Sequence, residues 1–170
     1  VSPRSAFGVL IQFWQIPDLE APPRPASAPF RLRSGQTVLM RVDHLSLAVR
    51  DIDTTLAFFR RYLPVTLGQQ RHAGYDDSFD LVHFSINGYK VELIQGLAGR
   101  PGFVERFIER RGEGLHHLSI DIDDLDPYLA QLEGDGVRIV DRLDLGNGLK
   151  TAFVSPRSAF GVLIQFWQIP

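Results

Sequence analysis

An internal repeat constrains the fold of this 170-residue chain more than any other feature of its sequence. Residues 43–53 (DHLSLAVRDID) recur in degenerate form as residues 116–126 (HHLSIDIDDLD), so that His117 follows His44 by 73 residues. Both copies begin with alternating polar and apolar side chains, as in a strand, and then reach acidic residues that can cap a helix. The sequence therefore predicts two related modules.

The same spacing relates Glu92 to Gln165, so four side chains that can bind a metal fall into two equivalent pairs. A divalent cation needs ligands that converge from separate, rigid strands. The imidazoles of His44 and His117, one carboxylate and one amide form a ligand set that suits Co, Zn, Ni, Mn or Fe(II). Such an ion leaves positions for substrate oxygens and stabilises an enolate during proton transfer next to a carbonyl. We therefore expect these four residues to form a metal centre.

The other three histidines are assigned no ligand role. His116 precedes His117 directly, so strand alternation turns its side chain away from the predicted site. His72 and His83 are expected at the surface or on a sheet edge.

Each copy of the repeat opens a unit with the element order βαβββ. In the first unit, Asp51 or Asp53 can cap a helix that Pro64 ends. The dipeptide Asn87-Gly88 predicts a hairpin between the last two strands of that unit. We predict an α+β fold in which modules 37–96 and 114–170 form a half-barrel cup, with the four candidate ligands on its concave face.

A second repeat is exact: residues 1–17 are identical to residues 154–170. The fold has one position for the strand in this segment, so the surplus copy is expected to be disordered, to lie on a sheet edge, or to exchange into a partner chain of a homodimer. Gln12 is the copy of Gln165, and the sequence leaves open which of them occupies the site. Residues 18–36 are rich in proline and are predicted to be an extended linker. Residues 1–36 therefore form a segment apart from the domain at 37–170.

Composition excludes several classes of protein. A net charge of −2 gives no reason to expect nucleic acid or an anionic membrane as a partner. The absence of cysteine excludes disulfides and thiolate sites. No apolar run approaches the roughly 20 residues of a membrane span, and the N-terminal residues do not resemble a signal peptide. We expect a cytoplasmic protein that acts on a small molecule.

These motifs resemble those of the vicinal oxygen chelate (glyoxalase/bleomycin-resistance/dioxygenase) superfamily over about residues 40–168. The similar segments are the first ligand strand at 43–49, the second at 90–94, the third at 114–126 and the last at 153–165. Within the superfamily, the residues are most similar to those of methylmalonyl-CoA epimerases. The resemblance implies a glyoxalase-like cup and a divalent metal bound by His44, Glu92, His117 and Gln165.

The resemblance implies an isomerase that moves a proton on the carbon next to a metal-bound carbonyl. Glu92 is the candidate for one acid–base role, and Asp76 or Asp77, with Asp77 preferred, is the candidate for the other. The last ligand of the family is usually a glutamate, whereas this chain has Gln165, and an amide cannot take a proton at neutral pH.

The resemblance also implies an acyl-CoA or similar substrate, contacted by Phe160, Trp167 and Ser119. The alternatives are a glyoxalase-type lyase and an antibiotic-resistance type of binding protein whose cup is lined by aromatic residues, including Tyr75. An Fe(II) oxygenase with two histidines and one carboxylate ranks lower, because its carboxylate usually occupies the position of the glutamine.

Overall fold

The computed structural model describes residues 10, 12, 26–100 and 102–170. None of the helices in these ranges is long and apolar enough to cross a membrane. The described residues divide into unit 1, which is built on residues 45–116, and unit 2, which contains residues 26–44 and 117–170. In chain order the elements are β1 (Ala28–Arg31), β2 (Thr37–Ala48), α1 (Ile52–Tyr62), β3 (Val65–Leu67), β4 (His72–Ala73), β5 (Phe79–Ile86), β6 (Tyr89–Gly96), α2 (Phe103–Arg111), β7 (Gly114–Ile122), α3 (Leu125–Gly134), β8 (Ile139–Gly146), β9 (Leu149–Val154) and β10 (Ile164–Gln168).

Helix α1 forms where the sequence predicts it. Asp51 is its N-cap, and the carboxylate accepts a hydrogen bond from the Thr54 backbone N–H at 2.6 Å. This bond satisfies one of the N–H groups that the first turn leaves without a helical partner. Two arginines in the last turn complement the negative end of the helix dipole, and Pro64 follows the helix.

The sheet of unit 1 separates an apolar face from a polar one. Strands β5 and β6 form the predicted hairpin, with φ angles of 48° at Asn87 and 86° at Gly88. The helix α1 and the apolar face of the sheet together form a core of Leu47, Val49, Ile52, Phe59, Val82, Phe84 and Leu93. Because side chains alternate along a strand, His83 and Glu92 lie on the opposite face.

In unit 2 the strands are ordered β7-β10-β9-β8, with β10 parallel to β7 and antiparallel to β9. The core of unit 2 contains Leu32, Val38, Ile122, Leu125, Leu129, Ala152, Val154 and Phe166. Alternation places Thr151, Phe153 and Gln165 on the face away from this core. The α+β class and the two βαβββ modules are therefore confirmed.

Hydrogen bonds repeat the internal symmetry of the sequence. The Gln95 side-chain oxygen accepts from the Ile52 N–H at 2.8 Å, and the Gln168 side-chain oxygen accepts from the Leu125 N–H at 2.8 Å. Each glutamine thus joins the end of the last strand of its module to the first turn of its helix, where backbone donors lack helical partners.

The C-terminal copy of the duplicated segment supplies strand β10, which pairs with both β7 and β9. Its Gln165 is buried, whereas Gln12 is exposed. Gln165 therefore occupies the strand position in this chain. The other structural predictions for residues 1–17 lie outside the described residues, and the homodimer remains a prediction.

Local hydrogen bonds complete the structure after β3 and before α3. Strand β3 ends at Leu67, and the backbone N–H of Gly68 still donates to the His83 carbonyl oxygen at 3.0 Å. Asp124 is the N-cap of α3 as predicted, but its carboxylate makes no capping bond and instead accepts from the Gln36 side chain at 2.8 Å.

The proline-rich segment contributes to the core of unit 2. Strand β1 pairs with β2, and Pro29 is compatible with this strand because β1 pairs through one edge. Leu32 is only 4% exposed and packs against α3. The backbone N–H of Arg33 donates to the Gln131 side chain at 2.7 Å.

These contacts predict different results for two N-terminal deletions. Removal of residues 1–25 keeps β1 and Leu32 and provides the reference protein. Removal of residues 1–36 also deletes β1 and Leu32, and should lower the free energy of unfolding by at least about 2–5 kcal/mol, the cost of losing one buried leucine. Thermal and urea denaturation followed by circular dichroism would measure both values. Equal stability of the two deletions would contradict the role of Leu32.

Candidate functional site

Unit 2 contains a pair of buried histidines. His44 on β2 and His117 on β7 are each 5% exposed. Their ring centroids lie 5.5 Å apart with an interplanar angle of 69°. The two imidazoles that the sequence repeat relates are therefore neighbours.

A carboxylate orients one of these rings. His44 Nδ1 lies 2.8 Å from Asp43 Oδ2. Because a carboxylate accepts hydrogen bonds, Nδ1 is the donor in this contact, and the ring orientation is fixed by it. Metal-binding histidines are commonly oriented in this way. Asp43 has no assigned role in the sequence pattern, although its position next to His44 is the signal that could have indicated one.

Buried polar oxygens lie near Gln165. Gln165 on β10 is 4% exposed and is paired with Ser119 of β7 on one side and with Phe153 of β9 on the other. Gln165 Oε1, Ser119 Oγ and Thr151 Oγ1 are buried and have no hydrogen-bond partner among the described residues. A buried oxygen in this state costs about 1–3 kcal/mol, so these three atoms require an explanation. The sequence pattern assigns no role to Thr151.

Glu92 is the buried carboxylate of unit 1. It lies on β6, is 8% exposed, and its Oε1 accepts a hydrogen bond from Ser46 Oγ at 2.7 Å. Its Oε2 lies 3.3 Å from the Nε2 atom of His83. His83 on β5 is the direct pairing partner of Glu92 on β6. Ser46 follows His44 by two residues on β2, so the side chains of both residues leave the same face of that strand.

The prediction for His83 was wrong. His83 is expected at the surface or on a sheet edge, but its side chain is only 20% exposed, and β5 lies between β3 and β6. Its strand position places it on the face of Glu92, where it contacts that carboxylate. His72 is exposed, as predicted.

His116 points away from His117. Its ring packs against Phe103 at 5.3 Å and Phe107 at 4.8 Å, both on α2. Burial lowers the pKa of His116 to about 4, because the apolar surroundings disfavour the charged ring. His116 is therefore neutral at pH 7 and packs in the core, in agreement with strand alternation.

The predicted loop acids lie in an exposed turn before β5. Asp77 adopts a φ of 54°, and its backbone carbonyl accepts from the Arg100 guanidinium at 3.1 Å. The Asp76 carboxylate accepts from the Ser78 backbone N–H and hydroxyl. Tyr75 in the same turn is 42% exposed.

The predicted substrate contacts in unit 2 differ in their exposure. Ser119 is fully buried, and Trp167, which shares a strand face with Gln165, is half-buried. Phe160 is fully exposed and has a φ of 51°, which is unusual for a bulky residue. Its side chain is therefore presented to solvent from the turn before β10.

Comparisons with known proteins agree with this architecture. The Glyoxalase/Bleomycin resistance protein/Dioxygenase superfamily profile matches residues 43–153. The uncharacterized protein YqjC of Bacillus subtilis is 33% identical over 128 residues, which cover 74% of this chain and 89% of that protein. The mitochondrial methylmalonyl-CoA epimerase of Homo sapiens is 24% identical over 133 residues, covering 76% of this chain and 74% of the relative.

A solved structure supports the same assignment. The crystal structure of methylmalonyl-CoA epimerase from Mycobacterium tuberculosis superposes with a TM-score of 0.64 at 25% identity, and covers 76% of this chain and 88% of the other. The family profile covers well over half of the chain, and the fold agrees with it. The chain therefore belongs to the Glyoxalase/Bleomycin resistance protein/Dioxygenase superfamily.

Proposed function

We propose that the protein is a metal-dependent isomerase that moves a proton on the carbon next to a carbonyl, as in methylmalonyl-CoA epimerases. The observation that carries this proposal is the buried Glu92 carboxylate, held by Ser46 on the strand that also carries His44. A carboxylate that a hydrogen bond holds in a fixed position can serve as a general base for proton transfer from carbon.

The residues fit a divalent cation, and we propose that His44, Glu92, His117 and Gln165 hold it. Gln165 Oε1 is buried without a hydrogen-bond partner in the described part of the chain, and the Asp43 contact orients the His44 ring. Two nitrogen and two oxygen donors suit Co, Zn, Ni, Mn or Fe(II). When bound, the ion supplies positive charge that favours loss of a proton next to a carbonyl.

The strand positions support treating these residues as one set. In each module, a serine follows the histidine by two residues on the same strand face: Ser46 after His44, and Ser119 after His117. Ser46 donates to Glu92, and Ser119 lies opposite the equivalent Gln165 in the strand register. The two modules thus repeat the arrangement of histidine, serine and carboxylate or amide.

The proton-transfer roles follow from the chemistry of the side chains. Glu92 takes the proton from the substrate, since Gln165 at the equivalent position cannot titrate. Ser46 restrains one carboxylate oxygen and leaves the other on the side of His83. We assign the second acid–base role to Asp77, on the exposed turn before β5. Ser119, Trp167 and Phe160 are the proposed substrate contacts.

Isotope exchange tests this function. The purified protein, loaded in turn with each candidate metal, would be incubated with methylmalonyl-CoA in D2O, and deuterium at the α carbon would be measured by mass spectrometry. We expect exchange well above the uncatalysed rate, abolished by a chelator and restored by metal. No exchange at any metal loading would end the epimerase proposal. Turnover of the hemithioacetal of methylglyoxal and glutathione would instead identify a glyoxalase-type lyase.

A further inference from the structure

We propose that the hydroxyls of Ser119 and Thr151 bind two different oxygen groups of one compact substrate, such as a malonyl group with two carbonyl carbons joined to one carbon. The inference rests on the proposed function, because it names the part of the substrate that this face would recognise. It adds Thr151 to the binding residues.

The first observation is the state of the two hydroxyls. Ser119 is 0% exposed and Thr151 is 1% exposed, and neither side-chain oxygen has a hydrogen-bond partner in the described ranges of the chain. Native proteins rarely leave several buried polar atoms unsatisfied in one place unless the atoms have a use.

A second buried threonine provides the contrast. Thr55 in α1 is also 0% exposed, but its hydroxyl donates to the Asp51 carbonyl oxygen at 2.8 Å. This bond to the preceding turn is the usual way in which a threonine inside a helix satisfies its hydroxyl. Thr151 lies on a strand, where its own backbone offers no such acceptor.

The strand register places both hydroxyls beside Gln165. Ser119 on β7 is the direct partner of Gln165, and Thr151 on β9 is the direct partner of Trp167, two residues further along β10. Thr151 is therefore a diagonal neighbour of Gln165, on the same face of the sheet. The two hydroxyls flank the glutamine from opposite sides.

The spacing between the strands selects the kind of ligand. Strand β10 separates β7 from β9, and Thr151 lies opposite a residue two positions further along β10 than the partner of Ser119. The backbones that carry the two hydroxyls are therefore about 11–12 Å apart. Since side chains stand roughly perpendicular to a sheet, the two hydroxyls would bind separate oxygen groups rather than one carboxylate. Each hydroxyl can donate one hydrogen bond, and an anionic acceptor strengthens such a bond.

Binding of malonate and stability together test the proposal. Malonate carries two carboxylates on one carbon, and acetate, with a single carboxylate, is the control ligand. Their affinities would be measured by calorimetry for the full chain, with and without metal, in the wild type and in Ser119→Ala, Thr151→Val, Thr151→Ser and Thr55→Val. Metal affinity would be measured separately by competition with a chelator.

We expect Ser119→Ala and Thr151→Val each to weaken malonate binding by about 10-fold, with little change for acetate or for the metal. Thr151→Ser keeps the hydroxyl and should stay close to the wild type. The melting temperature should be unchanged or higher in Thr151→Val, since no internal hydrogen bond is lost, and lower in Thr55→Val.

Three results would overturn the proposal: no malonate binding by the wild type, equal malonate affinity in the wild type and the two hydroxyl-free variants, or a loss of stability in Thr151→Val as large as that in Thr55→Val. The proposed reaction can fail separately. If methylmalonyl-CoA shows no exchange but malonate binding still depends on both hydroxyls, the reaction is wrong and the binding inference stands.

Discussion

Replacing Glu92 with glutamine is expected to lower kcat for α-proton exchange by about 100- to 10,000-fold, the range typical for the loss of a general base. The amide keeps the size of the side chain, and its oxygen can still accept the hydrogen bond from Ser46. It cannot take a proton at neutral pH. The loss should therefore fall on proton transfer. Because a neutral amide is a weaker metal ligand than a carboxylate, exchange would be measured at saturating metal, with the metal content of the variant determined separately.

Glu109→Gln is the matched control, because Glu109 is an exposed glutamate of the same unit and undergoes the same chemical change. It should exchange deuterium at the wild-type rate. Melting temperatures of both variants would confirm that each is folded. An active Glu92→Gln protein with normal metal content would show that another group takes the proton, and would remove Glu92 from the acid–base role.

The double variant His44→Ala/His117→Ala is expected to lose stoichiometric metal. Both imidazoles are buried side by side, and alanine cannot replace their nitrogen donors. We expect the metal affinity to fall by more than the roughly 10- to 100-fold that follows the loss of a residue supporting a ligand. Elemental analysis of the purified protein and chelator competition would measure the loss, and exchange activity should disappear with the metal.

Two further variants provide a control with full metal affinity and a variant with an intermediate loss. His72→Ala removes an exposed histidine and should retain the full metal content. Asp43→Asn weakens the hydrogen bond that orients the His44 ring, so its metal affinity should fall by about 10- to 100-fold. If the double variant holds metal as tightly as His72→Ala does, the proposed ligand set is wrong.

Local patterns explain how much of the fold could be predicted. The Asp51 cap, the helix that ends before Pro64 and the hairpin at Asn87-Gly88 each depend on a few consecutive residues, and each was predicted correctly. Strand alternation also assigned His116 to the face away from His117, where α2 covers it.

Contacts between distant residues were the main omissions. The sequence predicts His83 at the surface or on a sheet edge, but the register of β5 and β6 brings it to Glu92. The hydrogen bonds that the Gln95 and Gln168 side chains accept from the first residues of α1 and α3 were not predicted. The two glutamines are nevertheless 73 residues apart, as Ile52 and Leu125 are. A glutamine near the end of a strand is usually only polar, so the sequence supplied no reason to select them.

The sequence by itself determined the plan of two modules, because periodicity, helix caps and an internal repeat can be read along the chain. The same repeat shows that His44 is equivalent to His117 and Glu92 to Gln165. Only the tertiary structure decided which polar atoms meet and which stay without a partner, as Thr151 Oγ1 does among the described residues. The physical reason is strand register: a shift of one residue moves every side chain to the opposite face, and no local sequence signal specifies it across distant strands.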